Sequence, residues 1–454
     1  MKDINIRYAC ASICVALVSA MFVGCSRFEE EDLFDESASQ RITHFNEQLQ
    51  SRLVTQSSEG KYGWVIQYFV AGTDESDYEG FNLFGSFSGN GKVKIAGNHR
   101  FLRDGNAGKY TEYTSVYDVL SEDGPVLAFN TWNDVLTVFV DPVDPSYAPS
   151  TLVNDGEGLH GDQNLVFQGY KGDTIMFSGE RNSARIRFVP CDRPWQDYIA
   201  DTEALKNKIT NSSITSYYVV CGTDTLYFKD LRSGIITYCE RINDPLSPSI
   251  INCVFTPNGF YLQHRNKIGG TSFQEFTLTP DNTCLMSEND SVQVYATWDN
   301  YIINHTAVWE MDTELFTEEQ QTLFDQIAEG VTALNKQWSL KSIGMGRSTG
   351  KNPVNGLILT YYTNTAKTKT NNAGLELALS KPQSKQLSID CTEDNVVDNN
   401  LSVFTARGSA VEALLRQFAA TLVGTYDMTP NDYFLPTSVH CTPISSGTAF
   451  TIGN

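Results

Sequence analysis

The pentapeptide Gly346-Arg347-Ser348-Thr349-Gly350 has the G-x-S-x-G spacing that can hold a nucleophilic serine on a sharp strand-to-helix turn. Its context points elsewhere. Lys351-Asn352-Pro353-Val354-Asn355-Gly356 reads as a loop leading into a strand, so no helix stands behind the serine. Gly156-Glu157-Gly158-Leu159-His160-Gly161 has the G-x-G-x-x-G spacing whose glycines let a backbone approach a pyrophosphate. The next element, Asn164–Gly169, reads as a strand and lends no helix dipole, so a tight structural turn is expected. Asp141, Asp144, Asp155, Glu157 and Asp162 gather oxygen atoms of the kind a hard cation such as Ca²⁺ takes. Their spacing fits no EF-hand, and Asp-Pro and Asp-Gly also make turns; turns are expected, with calcium the alternative and no other cofactor indicated. The six histidines, His44 to His440, form no H-E-x-x-H pair, which leaves a zinc hydrolase unsupported. Paired glycosidase carboxylates stay open, because 54 acidic residues offer many pairs and the required separation is spatial. No catalytic residue is assigned.

Two other segments could hold a ligand without transforming it. Sugar rings stack their apolar faces on exposed aromatic rings while neighbouring amides and carboxylates bond the hydroxyls. Thr131-Trp132-Asn133-Asp134 lies between expected strands, and Trp298-Asp299-Asn300-Tyr301 follows another. Trp132, Asn133, Asp134, Trp298, Asp299 and Asn300 are therefore the candidate ligand-binding residues; the competing reading packs each Trp over the rim of a core. Asp173-Thr174-Ile175, Asp224-Thr225-Leu226 and Asp290-Ser291-Val292 resemble the O-glycosylation acceptor of exported Bacteroidetes proteins, and each begins an expected strand where a turn would expose Thr174, Thr225 or Ser291.

The address comes from the N-terminus. Lys2 and Arg7 precede an apolar run from Ile13 to Val23 that is short for a membrane span, and the small Gly24 before Cys25 fits a lipoprotein signal-peptidase site. Cys25 is expected to become the acylated N-terminus. Phe22 departs from the usual Leu of that site. Glu29-Glu30-Glu31-Asp32 resembles the acidic export signal after the lipidated Cys of Bacteroidetes surface lipoproteins; the alternative is a merely solvated tether.

The 454 residues are 41% hydrophobic and 19% charged, the composition of an ordered body. A net charge of −21 opposes binding to nucleic acid or anionic lipid. Seven cysteines remain once Cys10, Cys14 and Cys25 are set aside, widely spaced and without C-x-x-C; buried thiols are expected, with room for one or two disulfides.

The elements that position these residues are mostly strands. Residues 1–24 form the signal and 25–40 the acidic tether. Residues 41–192 form a helix, with Ile42, Phe45, Leu49 and Leu53 on one face, and nine short strands suggesting a curled sheet or barrel-like shell, among them a run over Val135–Val140. Residues 193–312 carry a helix opened by Pro194 and a second meander. Residues 313–454 mix strands with helices whose capping boxes are Thr317 with Gln320 and Ser409 with Glu412. The fold class is α+β with a strong β bias, in antiparallel meander or barrel-like sheets.

Asp32-Leu33-Phe34-Asp35, Gly63-Trp64-Val65-Ile66-Gln67-Tyr68, Tyr113-Thr114-Ser115-Val116-Tyr117, Gly124-Pro125-Val126-Leu127-Ala128-Phe129 and Gly156-Glu157-Gly158-Leu159-His160-Gly161-Asp162 follow one another in an order that resembles the Bacteroidetes lipoprotein family catalogued as domain-of-unknown-function family 4302, over residues 29–454. The resemblance implies a surface lipoprotein associated with outer-membrane uptake systems of the starch-utilisation type, and brings no catalytic residues. The expected function is a lipid-anchored, cell-surface binding protein that captures a glycan or peptide for such a transporter complex and is not an enzyme. A surface hydrolase with a carboxylate site and a structural or adhesive lipoprotein are the alternatives.

Overall fold

Alternation of apolar and polar residues makes strands, and here the strands close on themselves. The computed structural model describes residues 38–70, 78–122, 124–141, 159–211, 214, 216–239, 249–298 and 307–453. Cys25, most of the tether, Asp144, Asp155, Glu157, Asp299 and Asn300 lie outside them.

The first ring contains β1 (Trp64–Phe69), β2 (Phe81–Phe87), β3 (Lys92–Gly97), β4 (Thr111–Ser121), β5 (Pro125–Phe129), β6 (Asn164–Lys171), β7 (Thr174–Gly179) and β8 (Arg185–Pro190). Each strand pairs with the next, and β1 pairs antiparallel with β8 to close an eight-stranded barrel. A barrel of this size is just wide enough for side chains to fill, and Trp64, Ile66, Tyr68, Phe87, Phe177 and Phe188 are buried in its core. Helix α1 (Ala38–Gln56) adds Leu49 and Leu53 to that core, and the Leu53 carbonyl accepts the Trp64 Nε1–H at 3.1 Å.

The expected strand Val135–Val140 is instead a 3-10 turn over Thr137–Phe139, so this barrel has eight strands rather than nine. The Asn133 Oδ1 accepts backbone N–H groups from Val135 and Leu136, which starts the helical turn. A short apolar run is buried equally well as a strand or as a turn of helix, and its periodicity does not separate the two.

The second ring contains β9 (Ser216–Cys221), β10 (Asp224–Lys229), β11 (Ile235–Cys239), β12 (Ser249–Thr256), β13 (Gly259–Ile268), β14 (Thr271–Leu278), β15 (Leu285–Ser287) and β16 (Gln293–Ala296), closed where β9 pairs with both β10 and β16. Helix α2 (Trp195–Ile209) ties the rings together. Trp195 and Tyr198 lie against Phe84 of the first, while Leu205 and Ile209 join the core of the second.

The third unit is a nine-stranded sheet of β17 (Trp309–Met311), β18 (Ser339–Arg347), β19 (Asn355–Tyr362), β20 (Thr370–Glu376), β21 (Ala378–Ser380), β22 (Gln386–Asp390), β23 (Gly424–Pro430), β24 (Ser438–Pro443) and β25 (Phe450–Gly453), with β20 and β21 at its two ends. Only Leu377 separates those strands in the chain, so one segment supplies both edges and the sheet must curl. Trp309–Met311 falls in the segment assigned to the second meander but pairs with β18 and β25.

Helices α3 (Glu318–Leu334), α4 (Asn399–Ala406) and α5 (Val411–Ala420) accompany this sheet, and α3 carries the expected capping box, Thr317 with Gln320. The box at Ser409 does not form. Ala410 caps α5 without a side-chain bond, and Glu412 instead accepts from Arg416, its i+4 neighbour, and from Thr405. The class is the β-biased α+β fold, and the seven remaining cysteines stand as thiols, Cys191, Cys239, Cys253, Cys284 and Cys441 buried.

Candidate functional site

Trp132 sits on the outside of the first barrel, 43% exposed, on a loop that β5 leads into. The loop is fastened to β4 by side chains on either side of the Trp. Thr131 Oγ1 accepts the Val116 N–H at 3.0 Å, and Asn133 Nδ2 donates to Ser115 Oγ at 2.9 Å. These bonds fix the loop that carries the indole against β4, where Tyr113 and Val116 are 36% and 43% exposed. Trp132 Nε1–H donates to Asp134 Oδ1 at 2.5 Å, and the Arg103 guanidinium carbon lies 5.3 Å from the Trp ring. Arg103 pairs in turn with Asp141 at 2.5 Å. The result is an exposed aromatic surface with ionic groups at its margin, which combines apolar contact with hydrogen bonding.

The sequence candidates separate sharply. Asn133 is fully buried and its side chain bonds to Tyr113, Ser115 and Val135 of the chain itself, so it builds the loop and is removed from the ligand candidates. Trp298 is 1% exposed, in the core shared by the second barrel and the third sheet, with Tyr433 packed against it at 6.5 Å. It cannot present a ring to a ligand. Thr174, Thr225 and Ser291 all follow tight turns, at Gly172, Gly222 and Asp290, each with a positive φ; Ser291 is exposed and the two threonines are half-buried.

The chemistry-like motifs serve the fold. Ser348 is 3% exposed, and its Oγ accepts the Val354 N–H at 3.0 Å within the loop joining β18 to β19. Asp162 gives its carboxylate to backbone N–H groups of Arg181, Asn182 and Ala184, fixing the β7–β8 turn. Gly161, just before it, has no room for a side chain: a Cβ there would stand 2.6 Å from Tyr68 Oη and 2.7 Å from Phe139. Tyr68 Oη donates to the Asp162 carbonyl, and burial raises its pKa far above the ordinary phenol. Asp141 is taken by Arg103. Among the described residues no group of three or more His, Cys, Asp or Glu is placed to hold a metal ion.

Inside the first barrel His99 lies among Phe81, Phe101 and Phe139. Its Nε2 is 2.8 Å from the Val135 carbonyl, which can only accept, so the ring carries its proton there. Burial pushes its pKa down to about 4, partly opposed by that bond. It is a neutral core histidine.

Two filled eight-stranded barrels followed by a curled sheet define a tandem-barrel, β-rich α+β protein whose exposed aromatic chemistry lies on an outer surface. The chain belongs to the family described as a domain of unknown function (DUF4302), whose model matches residues 30–280, a narrower reach than the 29–454 expected. The match takes in all of the first barrel, α2 and the second barrel through β14. No curated protein matches. Among solved structures, the beta chain of DNA polymerase III from Streptococcus pneumoniae aligns over 92% of this chain and 97% of that chain at 8% identity, with a TM-score of 0.12, a likeness that carries no argument.

Proposed function

We propose that the protein is a lipid-anchored binding protein of the outer membrane, facing the cell exterior and accessory to nutrient uptake, with a glycan or peptide as its ligand and a starch-utilisation-type transporter complex as its partner. The observation that carries the reading is the Trp132 surface: a large aromatic ring left 43% exposed and held by hydrogen bonds on both sides of its loop. Order of this kind limits the entropy lost when a ligand settles on it. The Gly24-Cys25 junction supports the anchor and Glu29 to Asp32 the outward address. Among the described residues no helix is long and apolar enough to cross a membrane; attachment in this reading is through the lipid at Cys25.

Labelling with a radioactive fatty acid, combined with protease treatment of intact cells, tests the anchor and address. The wild-type chain takes up label and is cleaved on intact cells, and Cys25→Ala does neither. Label that persists in Cys25→Ala, or protection from external protease, removes the reading's premise.

A further inference from the structure

The two barrels touch through Phe69, Val254 and Tyr261, and are bonded by Asn82 Nδ2 to the Phe255 carbonyl at 2.7 Å and Gly80 N–H to the Cys253 carbonyl at 3.0 Å. Beside this contact a cleft of about 450 Å³ opens between β7–β8 of the first barrel and β13–β14 of the second. That volume is in the range of small-ligand sites. The charged residues of its wall are Arg185, Arg187 and Arg265, with no carboxylate among the lining residues, in a chain whose net charge is −21.

Strand geometry puts them there. Ile186 and Phe188 fill the first barrel, so Arg185 and Arg187, alternating with them along β8, face outward. Arg187 is 9% exposed and held as a fixed donor: its guanidinium carbon lies 3.7 Å from the centroid of the Tyr261 ring, Nη1 reaches Glu275 only at 3.5 Å, and buried Nε has no hydrogen-bond partner. Gln263, buried at 7%, spends its oxygen on Asn252 Nδ2, and Gln274 donates to the Leu262 carbonyl. Buried polar groups are ordinarily satisfied; an Arg buried with an idle N–H beside an open cleft is short of an acceptor.

The charge of that acceptor follows from the pairs. Glu275 answers Arg187 and Glu288 answers Arg265 at 3.5 Å, while Arg185 makes no ion pair among the described residues. Three guanidiniums against two carboxylates leave one positive charge. We propose that the inter-barrel cleft is a binding site for a ligand carrying a carboxylate, the planar monoanion that a guanidinium fork grips with two parallel bonds. The site is separate from the Trp132 surface and deepens the binding-protein reading by assigning an acidic class of ligand.

The test is calorimetric titration of the chain 26–454, which retains every described residue. The probes are trigalacturonate and its uncharged methyl ester, and a tripeptide with a free or an amidated C-terminus. The free acid of one pair binds at least tenfold more tightly than its uncharged counterpart, more weakly as salt rises, and which pair responds names the source of the carboxylate. Arg185→Gln, an exposed change that leaves the packing intact, weakens binding about tenfold, and Arg187→Gln weakens it further. Equal affinity for acid and neutral probes, no binding of either acid, or affinity unmoved in both variants overturns the proposal. No binding of either acid, together with neutral-glycan binding that is lost in Trp132→Ala, would overturn the cleft alone and leave the surface reading standing.

Discussion

The Arg187 guanidinium of β8 lies 3.7 Å from the centroid of the Tyr261 ring of β13, so one cation–π contact crosses the boundary between two separately closed barrels. A cation over a desolvated ring is worth roughly 0.5–2 kcal/mol. In a double-mutant cycle, Arg187→Ala and Tyr261→Ala therefore show a coupling of about 1 kcal/mol in urea denaturation. Additive losses would mean that the contact does not hold the barrels together.

The two tryptophans proposed from similar sequence contexts behave oppositely. Trp298→Ala opens a cavity in a continuous core and costs about 3–5 kcal/mol, measured by chemical denaturation. Trp132→Ala removes a partly exposed ring and stays within about 1 kcal/mol of wild type, while abolishing ligand contact at that surface.

That contrast marks how far the sequence could be read. Alternation and Gly- or Asn-containing turns located β1 to β8, and the Thr317–Gln320 box marked the start of α3, because both signals are local. A curled or barrel-like shell was legible from the run of short strands, but its seam was not: the partner of Tyr68 across β1–β8 is Ile186, and no local pattern specifies such a pairing. Trp298 is buried by the core shared by the second barrel and the third sheet, where Tyr433, equally remote in sequence, packs against it. The cleft arginines also leave a trace in the sequence. Arg185-x-Arg187 and Gln263-x-Arg265 put polar groups at period two on strands of an acidic chain, the mark of a shared polar face.

His99 makes stability fall with acidity. Its pKa in the fold, about 4, lies below the unfolded value near 6.5, so the unfolded chain takes up a proton first as pH drops. The contribution is intact above pH 6.5 and is lost progressively toward pH 4, by about 1.4 kcal/mol per unit and roughly 3 kcal/mol in all. Urea denaturation at pH 7 and pH 4.5 should show a smaller drop for His99→Gln than for wild type; parallel drops would remove His99 as the cause.

Asp162 works as a structural clasp. Asp162→Ala strands three backbone N–H groups at the β7–β8 turn and costs about 3 kcal/mol. Added calcium leaves the wild-type melting temperature unchanged, because Asp162 and Asp141 already have partners. A calcium-dependent rise in melting temperature would contradict that assignment.

The most direct measurement is calorimetric titration of the chain 26–454 with oligosaccharides and peptides, in wild type and Trp132→Ala, which reads affinity without relying on the emission of the exposed Trp132 ring. Wild type binds one ligand class saturably, and Trp132→Ala loses at least tenfold in affinity for it. Unchanged affinity in Trp132→Ala, or no saturable binding to any class, would contradict the binding-protein reading.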